Sequence, residues 1–142
     1  MRAELTIEIA RSPEEVFAYL TDVSNLGEWQ SGVRSAEVVG GGEPVPGARI
    51  RESRSLLGRE LHTTLEVADY EPPRRFVLRA LDSPVPFTVT HELEPDGAGT
   101  RLTVVGEGDP GLLPGLAAGL VARRAEKQFR KDFERLRALL EG

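Results

Sequence analysis

Short connections between successive strand-like segments constrain the fold of this chain more than any other feature. Between residues 33 and 107, apolar and polar residues alternate in segments separated by turn sequences such as EPPR at 71–74 and EPDGAG at 94–99. Connections this short join antiparallel neighbours, because a parallel pair needs a crossover of about a dozen residues or more. The region therefore predicts six antiparallel strands joined in a meander.

The N-terminal segment predicts a further strand followed by a helix. Residues 2–9 alternate strictly between polar and apolar side chains, which is typical of a strand with one buried face. Ser12 can cap the helix that follows, and Glu15 completes an S-x-x-E capping box. Pro13 suits the first helical position, where its missing N–H costs nothing.

Fresh capping residues predict that this helix breaks soon after it begins. Asp22 and Ser24 can each start a new helix, so a second short helix is expected to end near Trp29. Apolar residues at helical spacing predict one long helix over residues 111–141. The resulting order, strand, two helices, six strands and a helix, indicates an α+β fold. We expect residues 1–142 to form one domain.

The turn positions also predict which side chains share a face of the sheet. Hairpins centred on Gly58, Pro72–Pro73, Pro84–Val85 and Gly97–Ala98 place three rows of residues across it. These rows are Ile50, Val67, Leu78, His91 and Val104; then Glu52, Leu65, Ala80, Val89 and Gly106; then Arg54, Thr63, Asp82 and Phe87. The opposite face, which includes His62, is mostly charged, so the three rows are expected to face inward.

The final helix changes in side-chain size along its inward stripe. At about 100° per residue, Phe129, Phe133, Leu136 and Leu140 share one face. Towards the N-terminus the same stripe contains only small residues, namely Ala125, Ala122, Gly119, Ala118 and Gly115. A sheet curved around this helix would pack tightly at the phenylalanine end and leave a cavity at the other. The alternative is close helix–sheet contact with no cavity, since protein interiors close-pack.

Polar residues on the inward face favour the cavity, because they are costly to bury unless paired or hydrated. A mostly apolar space with a few polar groups is typical of a small-molecule site. The broken helix would arch over the open end of the sheet, with Trp29 in the cavity wall. The predicted ligand-binding residues are Trp29, Glu52, Arg54, Thr63, Leu65, Leu78, Ala80, Phe87, Val89, His91, Val104, Gly115, Ala118, Gly119 and Ala122.

The element order and four segments resemble the polyketide cyclase/dehydrase and lipid-transport superfamily, also called START-like or SRPBCC. The segments are IARSPEEVFAYLTDVSNLGEWQSGV, VADYEPPRRFVLRA, PFTVTHELEPDGAGTRLTV and RLRALLEG. The resemblance implies a helix-grip fold, in which a curved seven-stranded antiparallel sheet wraps round a long C-terminal helix, with two short helices between strands 1 and 2. It also implies a deep cavity for lipids, polyketides or similar hydrophobic ligands. It implies no single activity, because members include carriers, cyclases, hydrolase-like enzymes and chaperone regulators.

Three functions remain open at this stage. The first is a binding or carrier protein without chemistry. The second is a cyclase, aromatase or dehydratase that uses His91 as acid or base, with Glu52 and Arg54 orienting the substrate. The third is a regulator that binds a partner protein. His91 can equally be a satisfied core histidine, and Glu52 with Arg54 can be a simple ion pair.

Composition and motif context exclude several other classes. A net charge of −5 disfavours nucleic-acid binding, and the absence of cysteine excludes thiolate chemistry. The two histidines fall on opposite faces of the sheet, so no shared metal site is predicted. GEGDPG at 106–111 follows an antiparallel strand, so we expect neither a nucleotide nor another cofactor there. No leader or long apolar run is present, which predicts a cytoplasmic protein.

Three leucines near the start of the last helix lie away from its phenylalanine stripe. Leu113, Leu116 and Leu120 are roughly 120–180° from that stripe. Either the helix kinks near Pro114 and turns some of them inward, or they form an exposed ridge beside the cavity mouth. An exposed apolar ridge usually marks a contact surface, here a homodimer interface or a transient membrane contact.

Overall fold

The structure is a computed structural model that describes residues 2–56, 58–81, 86–108 and 115–142. Its strands are β1 (Arg2–Ile9), β2 (Val33–Val38), β3 (Arg49–Leu56), β4 (Arg59–Glu71), β5 (Arg75–Ala80), β6 (Phe87–Asp96) and β7 (Gly99–Gly108). Its helices are α1 (Pro13–Thr21), α2 (Leu26–Trp29) and α3 (Gly115–Glu141), with a 3-10 turn at Val23–Asn25 between α1 and α2.

The seven strands form one antiparallel sheet in the order β1-β7-β6-β5-β4-β3-β2. The six-stranded meander from β2 to β7 is as predicted, and β1 returns to pair with β7. The helix-grip fold and its two short helices between β1 and β2 are therefore confirmed. The predicted start of the last helix at residue 111 lies outside the described residues.

Local side-chain chemistry explains where the short helices begin. The Ser12 hydroxyl accepts a hydrogen bond from the Glu15 backbone N–H at 3.3 Å, which is the predicted cap of α1. The Asp22 carboxylate accepts from both the backbone N–H and the hydroxyl of Ser24, at 3.0 and 2.6 Å. These bonds satisfy N–H groups that a helix start leaves free, so the chain turns where the sequence predicts.

The predicted register is correct for two hairpins and wrong for two. Leu65 pairs with Ala80 and His91 with Val104, as predicted. Ile50 pairs with Leu65 rather than Val67, because Leu56 pairs with Arg59 and the hairpin closes one residue earlier.

A shift of two residues also separates the predicted and observed pairing of β5 with β6. His91 lies opposite Phe76, not Leu78. The turn expected at Pro84–Val85, and the row position of Asp82, lie outside the described residues. A shift of two keeps the same side chains on each face, so the inward assignments survive both corrections.

The bulky end of α3 fills the core as predicted. Phe133 and Leu136 are buried, and Phe129 and Leu140 are half-buried against the same hydrophobic cluster. The Trp29 ring lies 5.0 Å from that of Phe133, centroid to centroid, so α2 and α3 meet through aromatic contact.

The C-terminal end of α3 is also bonded to the segment that follows β1. The Glu141 side chain accepts from the backbone N–H of Ala10 at 2.9 Å. The Arg11 guanidinium donates to the backbone carbonyl of Glu141 at 3.3 Å. Residues about 130 positions apart are therefore tied together at this end of the sheet.

Candidate functional site

Two glycines that are predicted to face the sheet–helix interior differ in how closely they are surrounded. At Gly106 on β7, an added Cβ would lie 2.9 Å from the Phe129 ring, so the contact there is tight. At Gly119 on α3, an added Cβ would meet none of the described atoms within 4 Å. Ala122, one turn later, is only half-buried. Contacts among the described residues are therefore close at the phenylalanine end and sparse at Gly119, and the cavity stays a prediction.

Two further predicted positions on α3 cannot be judged in the same way. Gly115 and Ala118 belong to the helix, but their surroundings lie outside the described part of the chain.

The apolar wall opposite α3 is better defined. Its buried members are Leu65, Leu78, Ala80 and Val104, and its half-buried members are Phe87 and Val89.

Glu52 and Arg54 form the predicted ion pair inside the sheet. Both lie on β3 and point the same way, because they are two residues apart on a strand. The Arg54 Nε donates to Glu52 Oε1 at 2.6 Å, and its Nη2 donates to Gln30 Oε1 at 2.7 Å. Glu52 is buried at 2% side-chain exposure, whereas Arg54 retains 35%. Thr63, half-buried, pairs directly with Glu52 on the neighbouring strand.

Two buried polar atoms in this region have no hydrogen-bond partner among the described residues. They are the Glu52 Oε2 carboxylate oxygen and the Trp29 Nε1–H of the indole ring. Leaving a buried polar group unpaired costs about 1–3 kcal/mol, and more for a charged group. The site therefore contains one free acceptor and one free donor within a largely apolar interior.

His91 lies inside the sheet, as predicted, at 3% exposure, while His62 is exposed. The His91 Nδ1 lies 2.9 Å from the Phe76 carbonyl oxygen, so the neutral ring donates from Nδ1 and carries its lone pair on Nε2. The rings of Phe76 and Phe133 lie 5.7 and 5.9 Å away. Burial lowers the pKa of His91 to about 4, against the opposing effect of the Phe76 hydrogen bond.

A second polar cluster joins α3 to the connection between α2 and β2. The Asp132 carboxylate accepts from the Ser31 backbone N–H at 3.1 Å and from Gln128 Nε2 at 2.8 Å. Burial raises the pKa of Asp132, while these hydrogen bonds and the Arg54 cation act in the opposite direction. Arg54 therefore interacts electrostatically with Asp132 and forms a hydrogen-bonded ion pair with Glu52, so it links the two clusters.

Sequence reasoning missed three residues at this end of the sheet. Gln30 and Asp132 reach Arg54 and Ser31 across long sequence separations, which no local pattern encodes. Leu61 pairs with Arg54 and so shares the inward face, yet it remains 45% exposed. Leu61 lies two residues before Thr63 and four before Leu65 on the same strand, so the alternation alone could have placed it on the inward face. An exposed leucine on the inward face indicates that this edge of the interior is open.

The predicted leucine ridge is described only in part. Leu120 is 59% exposed, which agrees with an exposed ridge at that position. The side chain of Leu116 and all of Leu113 lie outside the described residues. Within the described ranges, no helix is long and apolar enough to cross a membrane. The same residues contain no cluster of three or more His, Cys, Asp or Glu that could hold a metal ion.

Comparison with solved structures finds the same architecture in several known proteins. A conserved protein from Geobacillus kaustophilus superposes with a TM-score of 0.80 at 20% identity, covering 99% of this chain and 95% of that one. A protein from Rhodobacter sphaeroides gives 0.78 at 25% identity, covering 98% and 91%. Ara h 8.0201 gives 0.72 at 14% identity, covering 99% and 97%.

No curated protein matches the chain. Residues 1–141, however, match the family described as polyketide cyclase/dehydrase and lipid transport. The match spans the capped helices, the meander and α3, the elements that carry the resemblance in the sequence. The chain therefore belongs to the polyketide cyclase/dehydrase and lipid transport family.

Proposed function

We propose that this protein binds a hydrophobic or amphipathic small molecule, such as a lipid or polyketide, between the sheet and α3. The observation that carries the proposal is a pair of polar atoms, Glu52 Oε2 and Trp29 Nε1, that find no hydrogen-bond partner among the described residues of a largely apolar interior. A ligand that supplies a donor to one and an acceptor to the other would remove the cost of leaving them unpaired. The sparse contacts of Gly119 among the described residues support room for an apolar part further along α3.

The free atoms also favour one ligand chemistry over another. A carboxylate oxygen accepts hydrogen bonds, so Glu52 suits an alcohol or phenol and repels a second carboxylate. The indole N–H suits a carbonyl or ether oxygen. Arg54 holds Glu52 in place through Oε1 and leaves Oε2 for the ligand. We therefore expect hydroxylated apolar compounds to bind more tightly than fatty acids of similar size.

The state of His91 favours binding without chemistry over acid–base catalysis. With its pKa lowered to about 4, the ring is neutral near pH 7 and holds its one N–H on the Phe76 carbonyl. It has no proton to give and is a weak base, whereas an effective catalyst has a pKa near the working pH. No described contact specifically supports a partner-binding regulator.

Filling the space beside Gly119 tests the proposal. Gly119→Leu should weaken binding of a neutral apolar fluorescent probe such as Nile red by tenfold or more, because the leucine occupies the probe's volume. Its melting temperature should hold or rise, since leucine is a better helix former than glycine. Ala138→Leu, at an exposed position on the same helix, is the matched control and should leave probe affinity unchanged.

The opposite pattern would contradict the cavity. If Gly119→Leu lowers the melting temperature while probe affinity stays constant, the position is close-packed and the probe binds elsewhere. Native mass spectrometry of the purified protein adds an independent measurement. A bound hydroxylated lipid or phenol that Glu52→Gln fails to retain would identify both the ligand class and its polar anchor.

A further inference from the structure

The outward surface of α3 combines one exposed leucine with a line of basic residues. Leu120 is 59% exposed, and the basic residues are also exposed. At about 100° per residue they all lie within about 60° of Leu120 around the helix. We call this surface the basic face; it consists of Leu120, Arg123, Arg124, Lys127 and Lys131.

The charge of this helix segment contrasts with that of the whole chain. Residues 115–131 contain five Lys or Arg and one Glu, whereas the chain carries a net charge of −5. The one acidic residue, Glu126, pairs with Arg130 at 3.9 Å, outside the basic face. The ion pairs of the described residues leave Arg124, Lys127 and Lys131 uncommitted. The positive charge is therefore concentrated and available to an anionic surface.

We infer that the basic face docks on an anionic lipid surface. Basic side chains along one helix bind lipid headgroups, and an adjacent exposed leucine can enter the boundary with the acyl chains. An acidic protein would explain the charges but not the exposed leucine among them. The inference depends on the charge and exposure of α3 and not on a bound ligand, so it can fail independently of the proposed function.

The position of the basic face suggests that docking would serve ligand transfer between the lipid surface and the protein. Leu120 follows Gly119, where an added Cβ would meet none of the described atoms within 4 Å. Docking would therefore bring a lipid surface beside the loosely packed part of the molecule. A hydrophobic ligand could then pass between bilayer and protein with little exposure to water.

Sedimentation with vesicles tests this inference directly. The protein should bind vesicles of phosphatidylglycerol and phosphatidylcholine at low salt, but not phosphatidylcholine alone, and binding should fall in 0.5 M NaCl because salt screens charge. Arg124→Gln with Lys127→Gln should weaken partitioning by about 25-fold, at about fivefold per basic residue near the surface. Leu120→Gln should cause a further several-fold loss.

Two matched controls separate docking from general effects. Arg49→Gln with Arg74→Gln removes the same two charges from exposed positions on β3 and in the β4–β5 turn, outside the basic face, and should change partitioning less than twofold. Leu139→Gln removes an exposed leucine, 42% accessible, near the other end of α3. Unchanged melting temperatures verify folding.

Three outcomes would overturn the assignment. The first is no binding to anionic vesicles at low salt. The second is an equal loss in the Arg49/Arg74 variant, which would mean that net charge alone acts. The third is retention on immobilised polyglutamate without vesicle binding, which would identify an acidic protein surface as the partner.

Discussion

Acid should destabilise this protein through His91, by an amount that the structure defines. The folded protein holds the ring neutral, with a pKa of about 4, whereas the unfolded chain has the ordinary value of 6.5. Between these values the unfolded state binds more protons, so stability falls as pH falls through this window. Linkage gives a loss of about 2 kcal/mol between pH 7 and pH 4.5, which grows to about 3 kcal/mol once the pH is well below 4.

Urea unfolding of wild type and His91→Gln at pH 7 and pH 4.5 measures this contribution. Glutamine can still donate an amide N–H to the Phe76 carbonyl but does not titrate. The stability lost on acidification should therefore be about 2–3 kcal/mol smaller in His91→Gln than in wild type. All other groups titrate in both proteins, so the difference isolates His91.

A control at the exposed histidine tests the role of burial. His62→Gln removes a histidine whose side chain is 68% accessible, and so controls for the loss of an imidazole that is not buried. Parallel losses in wild type and His91→Gln would refute the reasoning. They would mean that the ring accepts a proton inside the folded protein, through water or an undetected partner.

Three further predictions concern packing and the other buried polar groups. Gly106→Ala should cost about 1–3 kcal/mol of unfolding free energy because its Cβ meets a ring, while Gly119→Ala should gain up to about 1 kcal/mol; urea titration compares them. The free energy of unfolding of Asp132→Asn, relative to that of wild type, should increase as the pH rises from 3.5 to 7, because the raised pKa of Asp132 means that folding disfavours its charged form. Unfolding curves at both pH values test the sign of this change. Glu52→Gln should cost about 1–3 kcal/mol of unfolding free energy by breaking the Arg54 pair, against less than about 0.5 kcal/mol for Glu37→Gln at an exposed position on β2.

Features encoded within a few residues of sequence were predictable here. The Ser12 and Asp22 caps follow from side chains two or three residues from the N–H groups they satisfy. Glu52 meets Arg54 because residues two apart on a strand share a face. Hairpin register is less local, since a turn that closes one residue earlier shifts all pairs by two without changing any face.

Contacts that depend on how the helices and strands are arranged in space could not be predicted from the sequence. Asp132 binds the Ser31 N–H across 101 positions, and that contact requires the specific angle between α2 and α3. That the Trp29 indole N–H has no hydrogen-bond partner among the described residues could not be predicted either, because this depends on every neighbouring atom. The tryptophan itself could be placed near the interior, but its free donor could not.

The pairing of β1 with β7 has a consequence for synthesis of the protein. Ile9 lies opposite Thr100, and Ala10 and Arg11 bind Glu141, so the first strand gains its partners only when the last elements have left the ribosome. Until then the inner face of the meander has neither β1 nor α3 to cover it, and its apolar rows are open to other chains. Contacts of such long sequence separation also slow folding. We therefore expect this nascent chain to depend on chaperones more than a helical bundle of equal length.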